Sequence, residues 1–187
     1  PRSDNDWENF NVLHINRLPS AANFMGYPTK ELALQGDKSQ SPYFQSLNGT
    51  WKFHFVPRSD ERPMDFFQKG YDVSGWELQG FGYPFYVGSG YGIKKNPPLI
   101  AVENSPVGSY RRTFTIPAHW NKLQIILYFG GVASAFYVWV NGEKVGYSQD
   151  SKTPSEFDIT PYVKQGENEI AVQVFKFSDG YYLEDQD

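Results

Sequence analysis

Asn141-Gly142, set between the run AFYVWV (residues 135–140) and the return EKVGY (143–147), constrains this chain more than any other feature. A two-residue type I′ hairpin turn needs φ > 0 at both central positions, and Asn-Gly is the pair that tolerates it best. The run before the turn is built of β-branched and aromatic residues, which favour a pleated surface. The loop beyond the return, SQDSKTPSEFD (148–158), is dense in polar and turn-forming residues. A β-hairpin with a polar end is therefore expected near the middle of a β protein.

Other segments repeat the strand signal. In TWKFHFV (50–56) Trp51, Phe53 and Phe55 share one face and Lys52 and His54 the other. SYRRTFTI (109–116) is a strand ended by Pro117, and EIAVQVFKF (169–177) alternates Ile170, Val172 and Val174 with other residues. KLQIILYF (122–129) carries a continuous apolar stretch, which predicts a strand buried on both faces. Residues 63–69 are expected as one short helix. Residues 1–42, punctuated by Pro19, Pro28 and Pro42, read as an irregular arm, and residues 43–187 as one all-β domain. Many short antiparallel strands with turn signals between them predict a β-sandwich.

Composition narrows the function classes. A net charge of −4 and only 17 basic residues argue against a nucleic-acid partner, which wants a basic face. No apolar run approaches the length of a membrane span. With no cysteine, disulfides and Cys-based zinc sites are excluded, and no compartment follows. His14, His54 and His119 are scattered without metal-ligand spacing. Ser134, Ser148 and Ser151 lack a G-x-S-x-G setting. Gly88 to Gly92 (GSGYG) has neither P-loop nor dinucleotide-binding spacing. Trp51 and Trp139 lie in strand patterns and read as core. Tyr86, Tyr91, Tyr181 and Tyr182 lie in expected loops, where ligand or interdomain contact is the better reading.

Six segments carry a further signal in their order along the chain. They are DWENFNVLHINRLP (6–19), SLNGTWKF (46–53), NPP (96–98), Glu103-Asn104, the hairpin with its polar loop (135–158), and SDGYYLEDQD (178–187). Together they resemble the N-terminal sugar-binding domain of family 2 glycoside hydrolases, the group of the large bacterial β-galactosidases. The opening and the EDQD exit resemble that branch more than the β-glucuronidases or β-mannosidases of the same family. The resemblance implies a jelly-roll fold and a piece of a larger enzyme that hydrolyses terminal β-D-galactose residues with retention. The catalytic Glu pair would lie in a later barrel domain, so this chain is expected to be inactive alone. A retaining glycosidase needs two carboxylates flanking the scissile bond. The acidic cluster Glu184, Asp185 and Asp187 reads from charge alone as a solvated tail.

The resemblance also implies site residues. The last Asp of EDQD, here Asp187, would contact a galactosyl hydroxyl and a sodium ion; a carboxylate suits both as acceptor and hard ligand. The family's Asn after a P-x-Y motif aligns with Gly88, which has no side chain to offer; a ligand-free glycine loop is the alternative. A structural cation, Mg²⁺ or a similar hard ion, would take Asp6, Asn9, the Val12 carbonyl, Gln149 and Asp179, tying the arm to the sandwich. The alternative is that Asp6 and Asn9 cap a turn while Gln149 and Asp179 serve loop hydrogen bonds. Between Trp76 and Phe81 the chain lacks the family's V-P-S-N-W-like stretch; either the loop is shortened or residues are missing near 75–77. Expected partners are the β-galactoside, the downstream domains and a second copy of the parent. A free-standing carbohydrate-binding module and a purely structural domain remain the other function classes.

Overall fold

The computed structural model describes residues 5–22, 25–80, 96, 99–101, 103 and 105–183. Among the described residues the strands are β1 (His14–Ile15), β2 (Thr50–Val56), β3 (Glu77–Gly80), β4 (Val107–Ile116), β5 (Ile126–Phe129), β6 (Ala135–Val140), β7 (Glu143–Gln149), β8 (Ser155–Asp158) and β9 (Gly166–Phe175). Seven of them form one sheet in the order β1-β7-β6-β9-β4-β2-β3, and β5 and β8 form a second. Every pairing is antiparallel. The result is the β-sandwich that the alternating strands and the jelly-roll resemblance predict.

The Asn-Gly turn forms as expected. Asn141 has φ 52° and Gly142 φ 88°, the left-handed pair a type I′ turn requires. Asn141 does more than turn. Its side-chain amide donates to the Tyr162 carbonyl and to Asn168 Oδ1, each at 2.8 Å, and its Oδ1 accepts the Glu169 N–H at 3.0 Å. The hairpin is thus pinned to the strand beside it. A register shift between Val138 and Trp139 leaves Val145 as an extra residue in β7.

The apolar residues of β6 divide between two cores. Phe136, Val138 and Val140 face a main core shared with Trp51, Phe53, Phe114, Val172 and, from the smaller sheet, Leu127, Phe129 and Phe157. Ala135, Tyr137 and Trp139 face a second core with Trp7, Phe66, Tyr147 and Phe175. β6 is therefore an interior strand buried on both faces, as is its neighbour β9, which gives Ile170, Val172 and Val174 to the main core and Ala171 and Phe175 to the second. That corrects the expectation for residues 122–129: the strand is shorter, and β5 alternates, with Leu127 and Phe129 buried and Ile126 and Tyr128 open to solvent. β5 belongs to an outer two-stranded layer, so only one of its faces meets the core.

Two further expectations are corrected. Residues 63–69 form bends and turns, not a helix. Phe66 is buried in the second core, and the buried Arg111 guanidinium donates to the Phe66 and Tyr71 carbonyls at 2.8 and 3.2 Å. Those carbonyls then serve the arginine and not a helical ladder. The arm is less irregular than expected. It holds a helix α1 (Lys30–Gln35), capped by the Thr29 hydroxyl and ended by Gly36 at φ 71°, and it supplies β1 to the sheet edge.

Candidate functional site

The arm enters the second core through Trp7, in a 3-10 turn over Asp6–Glu8. Trp7 stacks on Phe175 at 4.1 Å between ring centres and meets Tyr137 edge-on at 6.1 Å. The Arg62 guanidinium lies 4.7 Å over the Trp7 ring. This anchoring sets Asp6 against the hairpin. Asp6 Oδ2 accepts the Tyr137 hydroxyl at 2.6 Å, and the Lys144 ammonium approaches it at 3.6 Å. Lys144 also sits 4.2 Å over the Tyr137 ring.

β1 then continues the arm along β7, pairing His14 with Ser148 and Ile15 with Tyr147. The Gln149 N–H donates to the Leu13 carbonyl at 3.3 Å. On the second-core face of β7, Tyr147 and Gln149 are neighbours two residues apart, and the Tyr147 hydroxyl donates to Gln149 Oε1 at 2.9 Å. Tyr137 stands opposite Tyr147 on β6, the rings 4.8 Å apart. The closing 3-10 turn, Asp179–Tyr182, packs on the Asp6–Glu8 turn. Asp179 is buried; its Oδ1 accepts the Gly180 N–H at 3.0 Å, and the Gln149 side chain hydrogen-bonds its carboxylate.

Electrostatics follow burial. Desolvation raises the Asp179 carboxyl above its ordinary range, and the nearby Glu8 charge adds to the rise. Burial likewise pushes the Tyr137 and Tyr147 hydroxyls well up, reinforced at Tyr137 by its bond to Asp6. Both phenols are proton donors at any ordinary pH.

Of the residues expected to hold a hard cation, Asp6, Gln149 and Asp179 come together around the two tyrosines. Asn9 does not join them through the same network: its Oδ1 accepts the backbone and side-chain N–H groups of Asn11, each at 3.2 Å, in a local turn. The Val12 N–H donates to the Asn9 carbonyl at 2.8 Å and closes that turn. Among the described residues no three His, Cys, Asp or Glu side chains cluster as a metal site. A cation here would rest on two carboxylates plus neutral oxygens. The donor chemistry fits a hard ion: every atom is oxygen, and among the described residues no basic side chain ion-pairs with the buried Asp179.

The remaining expected residues divide. Asp187, Gly88, Tyr86, Tyr91 and the Glu184-Asp185 pair lie outside the described residues. Tyr182 is a bracing residue, its hydroxyl donating to the Leu99 carbonyl at 2.9 Å, while Glu8 Oε1 accepts the Ile100 N–H at 3.0 Å. Trp51 and Trp139 are buried core, as their strand patterns predict. A surface groove of about 390 Å³ runs past Trp120, Leu123, Gln124 and Lys164, with Asp158 its one carboxylate. A second of about 320 Å³ is lined by Glu167 and Glu169, and Glu169 ion-pairs with Arg111.

Comparison with known proteins bears on this arrangement. The model of the glycosyl hydrolases family 2 sugar binding domain matches residues 44–187. The chain belongs to this family. A β-galactosidase of Priestia megaterium is 45% identical over 97% of the chain, and one of Halalkalibacterium halodurans 43% identical over 95%. The chain spans 19% and 18% of those two relatives, so it corresponds to under a fifth of their length. Among solved structures, a β-glucuronidase of Bacteroides uniformis superimposes with a TM-score of 0.56 at 25% identity, covering 71% of this chain and 14% of that one. A second structure, of Bacteroides uniformis β-glucuronidase 2 bound covalently to cyclophellitol-6-carboxylate aziridine, gives 0.56 at 26% over the same shares. The same fold is thus present in proteins described as β-glucuronidases. The tyrosine pair that joins Asp6 to Gln149 was not visible in sequence, where both residues read only as strand positions. The i, i+2 spacing of Tyr147 and Gln149 was the one signal that could have linked them.

Proposed function

We propose that this chain is a non-catalytic domain of a hydrolase that removes terminal non-reducing β-D-galactose residues with retention, by a Glu pair in a downstream domain. The observation that carries the reading is the match to β-galactosidases at 43–45% identity along nearly the whole chain. The grooves of the described residues agree with a non-catalytic role. One holds a single carboxylate, already accepting from Gln124 and Thr160, and the other holds Glu167 beside Glu169, which Arg111 neutralises. Glycoside hydrolysis needs two carboxylates facing the scissile bond, and in each of these two grooves a carboxylate is already engaged by protein groups.

In this reading the domain supplies a wall of the substrate pocket and a surface for the downstream domains and for a second copy of the parent. Asp187 contacts substrate and sodium there, while Gly88 contributes backbone only. Magnesium or a similar hard ion joins Asp6, Gln149 and Asp179, with the Val12 carbonyl offered from the adjoining turn, where Asn9 Oδ1 is taken up by Asn11. Its role is to lock the arm onto the sandwich; no bond-breaking step runs through it. A β-glucuronidase parent is the second reading, favoured by the solved β-glucuronidases of this fold, but at 25–26% identity. Calorimetric titration of the chain with galactose and lactose, with sodium and magnesium present, tests the proposal. Absence of binding supports a wall that becomes a site only when docked on its catalytic domain. Micromolar binding would make the chain a carbohydrate-binding module in its own right.

A further inference from the structure

We infer that Tyr137 and Tyr147 are positioning residues for the hard cation, an inference that rests on the cation reading above. They form one cross-strand pair, yet each hydroxyl serves a different ligand: Tyr137 donates to Asp6 Oδ2 at 2.6 Å and Tyr147 to Gln149 Oε1 at 2.9 Å. A phenol has one proton to give, and here each is given to one ligand oxygen.

The directions of these bonds follow from chemistry. The Asp179 carboxylate only accepts, so the Gln149 side chain meets it with Nε2. Oε1 then faces the other way, toward Tyr147, and the tyrosine must donate. One lone pair of Oε1 is taken and the second is left for a cation. At Asp6 both Tyr137 and Lys144 act on Oδ2, which leaves Oδ1 as the ligating oxygen among contacts of the described residues. The tyrosines thus select which oxygen of each side chain is offered. Both rings are buried in the second core, so the selection is rigid: Tyr137 is 8% exposed and Tyr147 fully buried. Rigidity matters for Mg²⁺, which demands near-ideal octahedral geometry. Hydrogen bonds behind a metal ligand typically carry about 10–100-fold in affinity.

The test is calorimetric titration of MgCl₂ into the 187-residue chain and its Tyr137→Phe, Tyr147→Phe and Asp179→Asn variants, each also melted in chelator. Saturable binding by the parent chain, loss of it in Asp179→Asn and about 10–100-fold weakening in each Phe variant are expected. Phe variants that melt as the parent chain does yet bind Mg²⁺ within about twofold of it would overturn the inference and leave the cation site standing. A flat isotherm for the parent chain itself would sink the cation reading, and this inference with it. The two failures are told apart by that one isotherm. Should a Phe variant lose its cooperative melt, the near-ultraviolet tyrosine difference spectrum of the parent chain on Mg²⁺ addition decides. A perturbed spectrum supports the positioning role and an unchanged one overturns it.

Discussion

At Gly146 the arm and the outer sheet both close on the hairpin. Gly146 follows the extra residue Val145 in β7, opposite Val138. A Cβ added there would clash with the Ile15 carbonyl of β1 and lie 2.6 and 2.8 Å from Phe157 Cε1 and Cδ1 of β8. None of these neighbours can yield cheaply: Ile15 is paired in the ladder, and Phe157 is fully buried in the main core. Overpacking a well-packed site costs about 1–3 kcal/mol. With backbone on one side and a locked ring on the other, Gly146→Ala should reach about 3 kcal/mol, the top of that range. For a chain of this size that lowers Tm by roughly 6–12 °C. The assay is thermal and urea unfolding of Gly146→Ala beside Gly75→Ala, where an added Cβ meets nothing within 4 Å. The control should stay within about 0.5 kcal/mol of the parent chain. A Gly146→Ala variant as stable as the control would refute the packing of the arm and of Phe157 against β7.

Other perturbations test separate parts of the account. Asn141→Ala loses three hydrogen bonds and places alanine at φ 52°, so a loss of about 3 kcal/mol is expected by urea unfolding; Asn141→Gly should recover only the backbone part. Glu169→Gln strips the counter-charge from the buried Arg111 guanidinium. Because the Glu169 side chain is 31% exposed, the cost is expected near 2–3 kcal/mol and not the full buried-pair penalty, again by urea unfolding. Asp179 gives a pH signature. Its carboxyl is raised on folding, so its contribution is full below the unfolded value and lost as pH rises through the folded one. In chelator, the parent chain should therefore lose Tm relative to Asp179→Asn as pH climbs from acid to neutral. A difference that does not change with pH contradicts the burial of that charge.

Much of the fold was legible because its signals are local. The Asn-Gly turn, the core face of β2 at Trp51 and Phe53 and that of β9 at Ile170, Val172 and Val174 depend on steric rules that operate within a few residues, whereas Phe55 is exposed near the end of β2 and the opposite face of β9 is buried too. The burial of β5 was not, since a continuous apolar run is compatible with either one or two covered faces, and only the place of the strand in its sheet decides. Residues 63–69 failed for a tertiary reason: Arg111, some 40 residues away in sequence, takes the Phe66 and Tyr71 carbonyls. The site was legible only in part. Asp6, Gln149 and Asp179 came from the family resemblance, and no spacing rule joins residues so far apart. The tyrosines between them were hidden by their strand pattern, which the core also explains.

We propose that this domain shapes a hydrolase without doing its chemistry. The most direct test is to assay the purified chain for release of a chromophore from an aryl β-galactoside, with sodium and magnesium present. No turnover above the buffer rate is predicted. Turnover that saturates with substrate and scales with the amount of chain would contradict the account and place a catalytic pair within these residues.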